Sequence, residues 1–429
     1  MSSLYNETID WLFNQVPMFQ NIGINAYKPG LEGILKLSQA FGNPHNALRR
    51  AVHIAGTNGK GSVSSLLSSI LQESGMKVGL YTSPHLVDFR ERIRINGEKI
   101  SEDAVIDFIR LYREKNLTYD PSFFELTTVM AFDWFAKNDV EIAIIEVGLG
   151  GRLDSTNIIK PELCVITNIS FDHTAQLGNS LEEIATEKAG IIKRDIPVVI
   201  GNVGDSVKQV FIDKARTLSS PLFFAQDSTF FSNAVNCETH ILYKDTPWGD
   251  IDSPLSGEYQ IENASTVMEA LSHLGRFDTD VVKRGFKKVC INTGLLGRWT
   301  ILSENPRIIC DTGHNPGGWV WLGHQLRTLS ENSRLHIVAG FVNDKDISHI
   351  IEEMPYNAIF YWTTPSVKRG KDSFELASIA KRYGLKGNVF KNVATAFEEA
   401  KKNASPSDII FVGGSTFVVA DLLIYLQKD

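Results

Sequence analysis

The chain has 429 residues, 43% hydrophobic and 22% charged, as in globular proteins with two or three domains. Its 43 basic and 50 acidic residues give a net charge of −7, which argues against a nucleic-acid surface. No apolar run approaches the roughly 20 residues of a membrane span, and the N-terminus lacks a signal-peptide pattern. The four cysteines form no CxxC pair. We therefore expect a cytoplasmic protein with reduced thiols and no membrane contact.

The first half of the chain alternates short apolar runs with helical patterns. Residues 52–55 predict a buried strand, and residues 62–73 have the apolar spacing of an amphipathic helix. Further apolar strands are predicted at 78–81, 141–147, 163–169 and 196–200. Such strands, separated by helices, favour a parallel sheet covered on both faces. Residues 205–260 have weak periodicity and allow no assignment.

The second half begins with a predicted helix at 260–275 and a turn-rich linker at 292–298. More strands are predicted at 307–310, 335–340, 358–361, 388–390 and 409–412. The fold class is therefore expected to be α/β. A P-loop parallel-sheet ATPase domain, residues 1–295, is predicted to precede a smaller Rossmann-like domain, residues 296–429.

A glycine-rich loop joins the first strand to its helix and reads Gly56-Thr57-Asn58-Gly59-Lys60-Gly61-Ser62. Glycines let backbone N–H groups turn towards an anion, and the helix N-terminus adds a favourable dipole. Lys60 would place its positive charge on the β- and γ-phosphates of a nucleotide. The spacing departs from the common P-loop, because Gly61 separates Lys60 from Ser62. A plain turn is the alternative, but the flanking strand and helix favour phosphate binding.

Polar residues also follow other predicted strands. Glu146 ends the most apolar one, where a carboxylate could hold Mg²⁺ beside the phosphates. His173 and Ser83 are less distinctive, since a histidine after a strand is often structural and Ser-Pro usually forms a turn. From its local sequence, Lys188 is most simply a surface or salt-bridged helix lysine.

The second predicted domain has two candidates of its own. The segment from Asp311 to His314 follows a strand and is a possible binding loop, although its residue types also build plain turns. Arg298 could reach a phosphate, but lone arginines are usually solvated.

Nine segments together resemble the dihydrofolate synthase/folylpolyglutamate synthase family, which is related to the Mur ligases. In chain order they are GTNGKGS, YTSPHL, ERI, IEVGLGGRLDSTN, FDHTAQLG, EKAGIIK, SGEYQIEN, GRW and DTGHNP. The resemblance implies an ADP-forming acid–amino-acid ligase that uses ATP and Mg²⁺. A substrate carboxylate would be activated as an acyl phosphate and then joined to L-glutamate.

The resemblance also assigns site residues. ATP would contact Gly56, Thr57, Asn58, Gly59, Lys60, Gly61, Ser62, Asn263, Arg298, Asp311 and His314. Magnesium would be held by Ser83, Glu146 and His173. The catalytic residues would be Lys60, His173 and Lys188, the last carrying a carbamate. Dihydropteroate or folate would contact Lys28, Pro29, Gly30, Ser122, Phe123, Phe124, Glu125, Leu153, Asp154 and Ser155.

The stretch 150–154 resembles members that act on dihydropteroate, so we predict a bifunctional enzyme. A monofunctional folylpolyglutamate synthase and a Mur-type cell-wall ligase are the alternatives. The latter normally carries an N-terminal domain for its UDP-linked substrate, for which there is little room before residue 56. A GTPase would need Asn-Lys-x-Asp, whereas residues 343–346 read Asn-Asp-Lys-Asp. We expect small-molecule partners and a monomer.

Overall fold

The structure is a computed structural model that describes residues 3–16 and 30–427. The chain divides into two compact units. The first comprises Met1–Val235, Leu242–Pro254 and Gln260–Leu295. The second comprises Asn236–Ile241, Leu255–Tyr259 and Leu296–Asp429. Within the described ranges, no helix combines the length and the apolar character needed to cross a bilayer.

The first unit is built on an eight-stranded sheet within the described residues. Its strands are β1 (Ala51–Ala55), β2 (Val78–Tyr81), β3 (Ile93–Ile95), β4 (Glu98–Lys99), β5 (Ile142–Glu146), β6 (Leu163–Asn168), β7 (Val198–Asn202) and β8 (Leu222–Phe224). Their order is β4-β3-β2-β5-β1-β6-β7-β8, parallel from β2 to β8 and antiparallel at β3 and β4. Every residue of β1 and β5 is buried, as expected for a parallel sheet covered on both faces.

Helices and a small second sheet complete this unit. The helices are α1 (Ser3–Gln15), α2 (Glu32–Ala40), α3 (Lys60–Glu73), α4 (Glu102–Glu114), α5 (Phe123–Lys137), α6 (Thr174–Leu177), α7 (Leu181–Ala189), α8 (Asp205–Leu218), α9 (Gln260–Leu274), α10 (Thr279–Lys287) and α11 (Val289–Thr293). The small sheet contains β9 (Asn233–Asn236), β10 (Ile241–Thr246) and β11 (Gly249–Ser253) in the order β11-β10-β9. The region 205–260, unassigned from sequence, therefore contains α8, β8 and this sheet.

The second unit has its own sheet and core. The strands are β12 (Thr300–Glu304), β13 (Arg307–Asp311), β14 (Leu335–Ala339), β15 (Ile359–Trp362), β16 (Gly387–Val389) and β17 (Ile409–Gly413), in the order β12-β13-β17-β14-β15-β16. The helices are α12 (Pro316–Ser330), α13 (Ile347–Glu352), α14 (Ser373–Arg382), α15 (Val393–Asn403) and α16 (Thr416–Leu426). All strand pairs except β12–β13 are parallel. The predicted α/β class with parallel sheets is confirmed.

Helix α3 differs from the amphipathic helix predicted for it. All residues from 61 to 71 are buried, including the five serines Ser62, Ser64, Ser65, Ser68 and Ser69. The Ser69 hydroxyl donates to the Gly285 carbonyl on α10 at 2.7 Å. A β-carbon on Gly285 would lie 2.5 Å from the Cα of Ile70, so α10 packs closely on α3. The polar side of α3 therefore faces a second helical layer rather than water.

Candidate active site

The strand ends bring the predicted site residues of the first unit to one edge of its sheet. Glu146 is the last residue of β5, and the loop that begins at Gly56 follows β1 directly. Ser83 lies two residues beyond β2, and His173 lies five residues beyond β6. Strands β2, β5, β1 and β6 are adjacent and parallel, so their carboxyl ends share an edge. This edge is where open α/β sheets bind ligands.

The glycine loop is fixed by hydrogen bonds to the end of β6 and the residues after it. The Asn58 backbone N–H donates to Asn168 Oδ1 at 2.9 Å, and the Thr57 N–H donates to the Asn168 carbonyl at 3.0 Å. The Thr57 hydroxyl donates to the Ser170 carbonyl at 3.1 Å, and the Thr167 hydroxyl donates to the Asn58 carbonyl. The loop is therefore held in place before any ligand binds.

Two loop glycines are required by their surroundings. Gly56 and Gly59 have φ values of 145° and 84°, which favour glycine. A β-carbon on Gly59 would overlap the side-chain amide of Asn263, the predicted nucleotide contact on α9. Gly59 is the N-cap of α3, whose first N–H groups have no acceptor within the helix. A glycine loop at a helix N-terminus fits the phosphates of a nucleotide.

Two lysines converge on one carbonyl of this loop. Lys60 Nζ and Lys188 Nζ each donate to the Gly56 carbonyl at 3.0 Å, and Lys60 also donates to the Thr57 carbonyl at 3.1 Å. Lys188 is only 3% exposed, so the interpretation of a surface lysine is wrong. Burial, and to a lesser extent the charge of Lys60, lowers the pKa of Lys188 to about 7. Lys188 therefore has a substantial neutral-amine fraction at physiological pH.

The predicted magnesium ligands supply suitable donor types. Glu146 is buried near the buried Arg92. Burial lowers the pKa of Arg92 to about 10, and the negative charge of Glu146 opposes this decrease. The residues that the structure describes contain no group of three or more His, Cys, Asp or Glu placed to hold a metal. The Glu146 carboxylate and the Ser83 hydroxyl are oxygen donors of the kind that Mg²⁺ prefers, and His173 adds a nitrogen donor; Mg²⁺ usually takes its other ligands from water and substrate phosphates.

His173 adopts an unusual backbone conformation next to an acidic residue that the sequence analysis did not select. Its φ is 51°, and its N–H donates to Asp172 Oδ1 at 2.9 Å. Its Nε2 lies 3.8 Å from Asp172 Oδ2. A carboxylate beside a metal-binding histidine commonly orients its ring. The signal for Asp172 was its position directly before His173 in the FDHT segment.

The predicted substrate contacts at the start of α5 differ in their exposure. Ser122 and Glu125 form a capping box, in which the Ser122 N–H donates to Glu125 Oε2 at 2.7 Å. Phe123 is buried in the core. Phe124 is only partly buried, and its ring lies where a β-carbon on Gly148 would be. Of this predicted substrate-contact group, Phe124 is the best placed to meet a ligand at the sheet edge.

Asp154 uses its carboxylate to shape the loop after β5. Oδ2 accepts from the Leu149 N–H at 2.8 Å, and Oδ1 accepts from the N–H and hydroxyl of Thr156 at 3.0 and 2.5 Å. Its predicted neighbours Leu153 and Ser155 are partly exposed, and Gly30 has a φ of 120°. The predicted contacts Lys28 and Pro29 lie outside the described residues.

A buried histidine supports the same loop from within the sheet. His53 Nε2 lies 2.8 Å from the Thr156 hydroxyl. Because that hydroxyl donates to Asp154, it accepts from His53, which assigns the proton to Nε2. His53 Nδ1 is buried without a hydrogen-bond partner among the described residues. Burial lowers the pKa of His53 from its ordinary 6.5 to about 3.

This histidine should make the fold sensitive to acid. Its native pKa lies below its unfolded value, so the unfolded state binds more protons between pH 6.5 and 3, and stability falls as the pH falls. From pH 7 to 5 the His53→Gln variant should lose about 2 kcal/mol less unfolding free energy than the unmodified chain. Urea unfolding at both pH values measures this difference, and equal losses would contradict the assignment.

The second unit also holds a buried carboxylate that accepts three hydrogen bonds. Asp311, at the end of β13, accepts from the Tyr259 hydroxyl at 2.6 Å and the Trp299 N–H at 2.7 Å on Oδ2. Oδ1 accepts from the Gly313 N–H at 2.7 Å. Burial raises the pKa of Asp311, while the bond from Tyr259 and the charge of Arg298 oppose the rise. Tyr259 was not selected from the sequence.

The other predicted nucleotide contacts of this unit gather beside Asp311. Arg298 Nη1 donates to the Thr312 hydroxyl and, at 3.1 Å, to the Gly297 carbonyl. His314 Nδ1 lies 3.0 Å from the Thr312 carbonyl. The structure therefore brings Arg298, Asp311 and His314 into one cluster after β13.

Family models match both units. The Mur ligase middle domain matches residues 54–271, and the Mur ligase glutamate ligase domain matches residues 297–416. The fold and the site therefore define a chain built from the two Mur ligase domains.

Proteins with similar sequences show which family within this class the chain resembles. The dihydrofolate synthase/folylpolyglutamate synthase of Bacillus subtilis is 31% identical, with 98% of this chain and 99% of the relative covered. The folylpolyglutamate synthase of Lacticaseibacillus casei is 33% identical over 78% of this chain and 81% of the relative. A probable bifunctional folylpolyglutamate synthase/dihydropteroate synthase of Haloferax volcanii is 32% identical over 97% of this chain, which spans only 50% of that relative's length.

Solved structures with a similar fold are of the same family as these relatives. E. coli FolC in complex with DHPP and ADP has a TM-score of 0.85 and 29% identity, covering 100% of this chain and 98% of that one. The bifunctional enzyme of Yersinia pestis, complexed with AMPPNP and Mn, has a TM-score of 0.82 and 26% identity, covering 99% and 98%. The chain belongs to the dihydrofolate synthase/folylpolyglutamate synthase family of ATP-dependent ligases.

Proposed function

We propose that the chain joins L-glutamate to dihydropteroate and to tetrahydrofolates, converting ATP to ADP and phosphate. The observation that carries the proposal is the convergence of Lys60 and Lys188 on the Gly56 carbonyl, within a glycine cradle on the edge that also carries Glu146. The similarity to bifunctional relatives and to an ADP-bound and DHPP-bound neighbour supports the choice of substrates.

The reaction has two displacements. An oxygen of the pteroate or folate carboxylate attacks the γ-phosphorus of ATP, so that ADP leaves and an acyl phosphate forms. The amine of glutamate then attacks the acyl carbon, phosphate leaves and the amide remains. Lys60 and the N–H groups of the loop stabilise the charge of the transferring phosphoryl group.

Ser83, Glu146 and His173 would hold Mg²⁺ at this edge. When bound, the ion supplies further positive charge to the phosphate oxygens. The Asp172 carboxylate near His173 would orient the imidazole ring for that role.

The acceptor would lie beside the end of β5. Phe124 is partly exposed there, and its ring centroid is 6.0 Å from that of Tyr81. Aromatic rings of this kind offer a stacking face to a flat heterocycle such as a pteridine. The capping box of Ser122 and Glu125 would hold Phe124 in place through the start of α5.

We further propose that residues 1–295 bind ATP and the pteridine substrate, and that residues 296–429 add the Arg298, Asp311 and His314 cluster. The chain would act as a cytoplasmic monomer whose partners are small molecules. The net charge of −7 supports the absence of nucleic acid from these partners.

Phosphate release tests the activity directly. The protein is incubated with ATP, Mg²⁺ and L-glutamate, together with dihydropteroate or tetrahydrofolate as acceptor. We expect glutamate-dependent release with both acceptors and one added glutamate per phosphate, measured by mass spectrometry. Turnover with neither acceptor would overturn the proposal, and GTP replacing ATP at equal efficiency would contradict the nucleotide assignment.

A monofunctional folylpolyglutamate synthase is the second candidate. The similarity to the Lacticaseibacillus casei protein, which carries only that name, favours it. The same assay separates the two, because a monofunctional enzyme would release phosphate with tetrahydrofolate and none with dihydropteroate.

A further inference from the structure

The side chain of Tyr259 forms a hydrogen bond to the Asp311 carboxylate. Its hydroxyl donates to Oδ2 at 2.6 Å, beside the Trp299 N–H at 2.7 Å on the same oxygen. Oδ1 accepts from the Gly313 N–H. Two donors on Oδ2 and one on Oδ1 leave acceptor capacity mainly on Oδ1, since each carboxylate oxygen has about two lone pairs.

The position of Tyr259 in the chain adds a second observation. It is the last residue of a short segment of the second unit, and the next residue, Gln260, begins α9 of the first unit. Gln260 is buried, and its Nε2 donates to the Ser62 hydroxyl at 3.0 Å. The Asn263 amide in turn donates to Gln260 Oε1 at 2.9 Å. Tyr259 and Gln260 are therefore consecutive residues that each contact a residue predicted to bind the nucleotide.

We infer that Tyr259 is a positioning residue for the nucleotide, because its hydroxyl occupies Asp311 Oδ2 and directs Oδ1 to a hydroxyl donor of the nucleotide. Tyr259 does not touch the reacting atoms. Its contribution therefore falls on nucleotide binding and leaves phosphoryl transfer unchanged. The inference rests on the proposed nucleotide role of Asp311.

The Tyr259→Phe variant removes only the hydroxyl and keeps the ring, which packs against the core of the second unit. We expect KM for ATP to rise about 5- to 10-fold, the effect of losing one hydrogen bond of typical net strength, with kcat and KM for glutamate within about twofold. If Tyr259 had only a structural role, the variant would instead show a lower kcat or a lower folded fraction, and the change would not be confined to KM for ATP.

A double-mutant cycle shows whether the effect passes through Asp311. Tyr259→Phe, Asp311→Asn and the double variant are compared by ADP affinity in calorimetry. If Tyr259 acts through Asp311, the double variant should bind ADP about as weakly as Asp311→Asn alone. Additive losses, or ADP affinity unchanged by Tyr259→Phe, would overturn the inference.

Tyr361→Phe is the matched control. The Tyr361 hydroxyl also has a side-chain partner in the second unit, His336 Nδ1 at 2.9 Å, but His336 is near the start of β14. Its loss should leave ADP affinity unchanged. Calorimetry also distinguishes failure of this inference from failure of the proposed function. If the unmodified protein binds ADP but forms no amide, the proposed function is refuted, and the effect of Tyr259→Phe on ADP affinity still tests the inference.

Discussion

The Lys60→Ala variant should lose about 10³-fold in kcat with both acceptors, because removing one preorganised charge from a transferring phosphoryl group has effects of this order. In the structure, Lys60 Nζ is held by the carbonyls of Gly56 and Thr57 at 3.0 and 3.1 Å, at the start of α3. The ammonium group is therefore anchored within the glycine loop that we propose binds the phosphates. Glutamate-dependent phosphate release at saturating ATP measures the loss.

Two further variants identify the cause of that loss. Lys60→Met keeps the length of the side chain without its charge, and we expect it to be as inactive as Lys60→Ala. Lys288→Ala removes a lysine that pairs with Glu73 at the opposite end of α3, with Nζ to Oε1 at 3.1 Å, and should retain activity within about twofold. Turnover of Lys60→Ala near that of the unmodified chain would refute the phosphate role.

Much of the parallel framework could be predicted from sequence, because buried parallel strands are continuous apolar runs. The strand predicted at 78–81 matches β2, the one at 141–147 extends one residue beyond β5 at each end, and the one at 163–169 extends one residue beyond β6. The antiparallel strands β3, β4 and β12 were missed. They contain alternating or mostly polar residues, so their pairing depends on neighbours that no local pattern reveals.

The site residues divide in a similar way. The glycine loop and Glu146 could be chosen locally, because glycines before a helix and a carboxylate at a strand end have a direct chemical reading. Asp172 and Tyr259 could not, since their importance lies in contacts to His173 and Asp311. Such contacts are set by tertiary structure, and only the family resemblance pointed to the segments that contain them.

Lys188 shows most clearly what local sequence cannot provide. Within LEEIATEKA it has the surroundings of an exposed helix residue, yet α7 places it against the Gly56 carbonyl, 132 positions away. The low exposure and the nearby Lys60 charge that set its pKa are both long-range effects. A lysine with a pKa of about 7 presents the neutral amine that attack on CO₂ requires, which supports the predicted carbamate.

Converting Lys188 to a carbamate would place an anion beside the Lys60 ammonium group, where the unmodified chain has a second amine. We therefore expect Lys188→Met to lower kcat by about 10²-fold or more, because Lys60 would lose the neighbouring anion that balances and orients its ammonium group. Lys188→Glu, which restores a negative group on a shorter side chain, should be more active than Lys188→Met. Equal activity of Lys188→Met and the unmodified chain would refute a catalytic role for this residue.

The carbamate itself can be observed separately from activity. Protein equilibrated with carbon-13 bicarbonate should give a carbamate signal in NMR that strengthens as the pH rises through 7, because the neutral fraction of Lys188 rises there. The signal should vanish in Lys188→Met and persist in Lys193→Met. Lys193 is a suitable control because its pKa is also lowered by burial, while its Nζ donates to Asn157 Oδ1 at 2.7 Å. A signal that survives in Lys188→Met would assign the carbamate to another lysine and leave Lys188 acting as a buried amine.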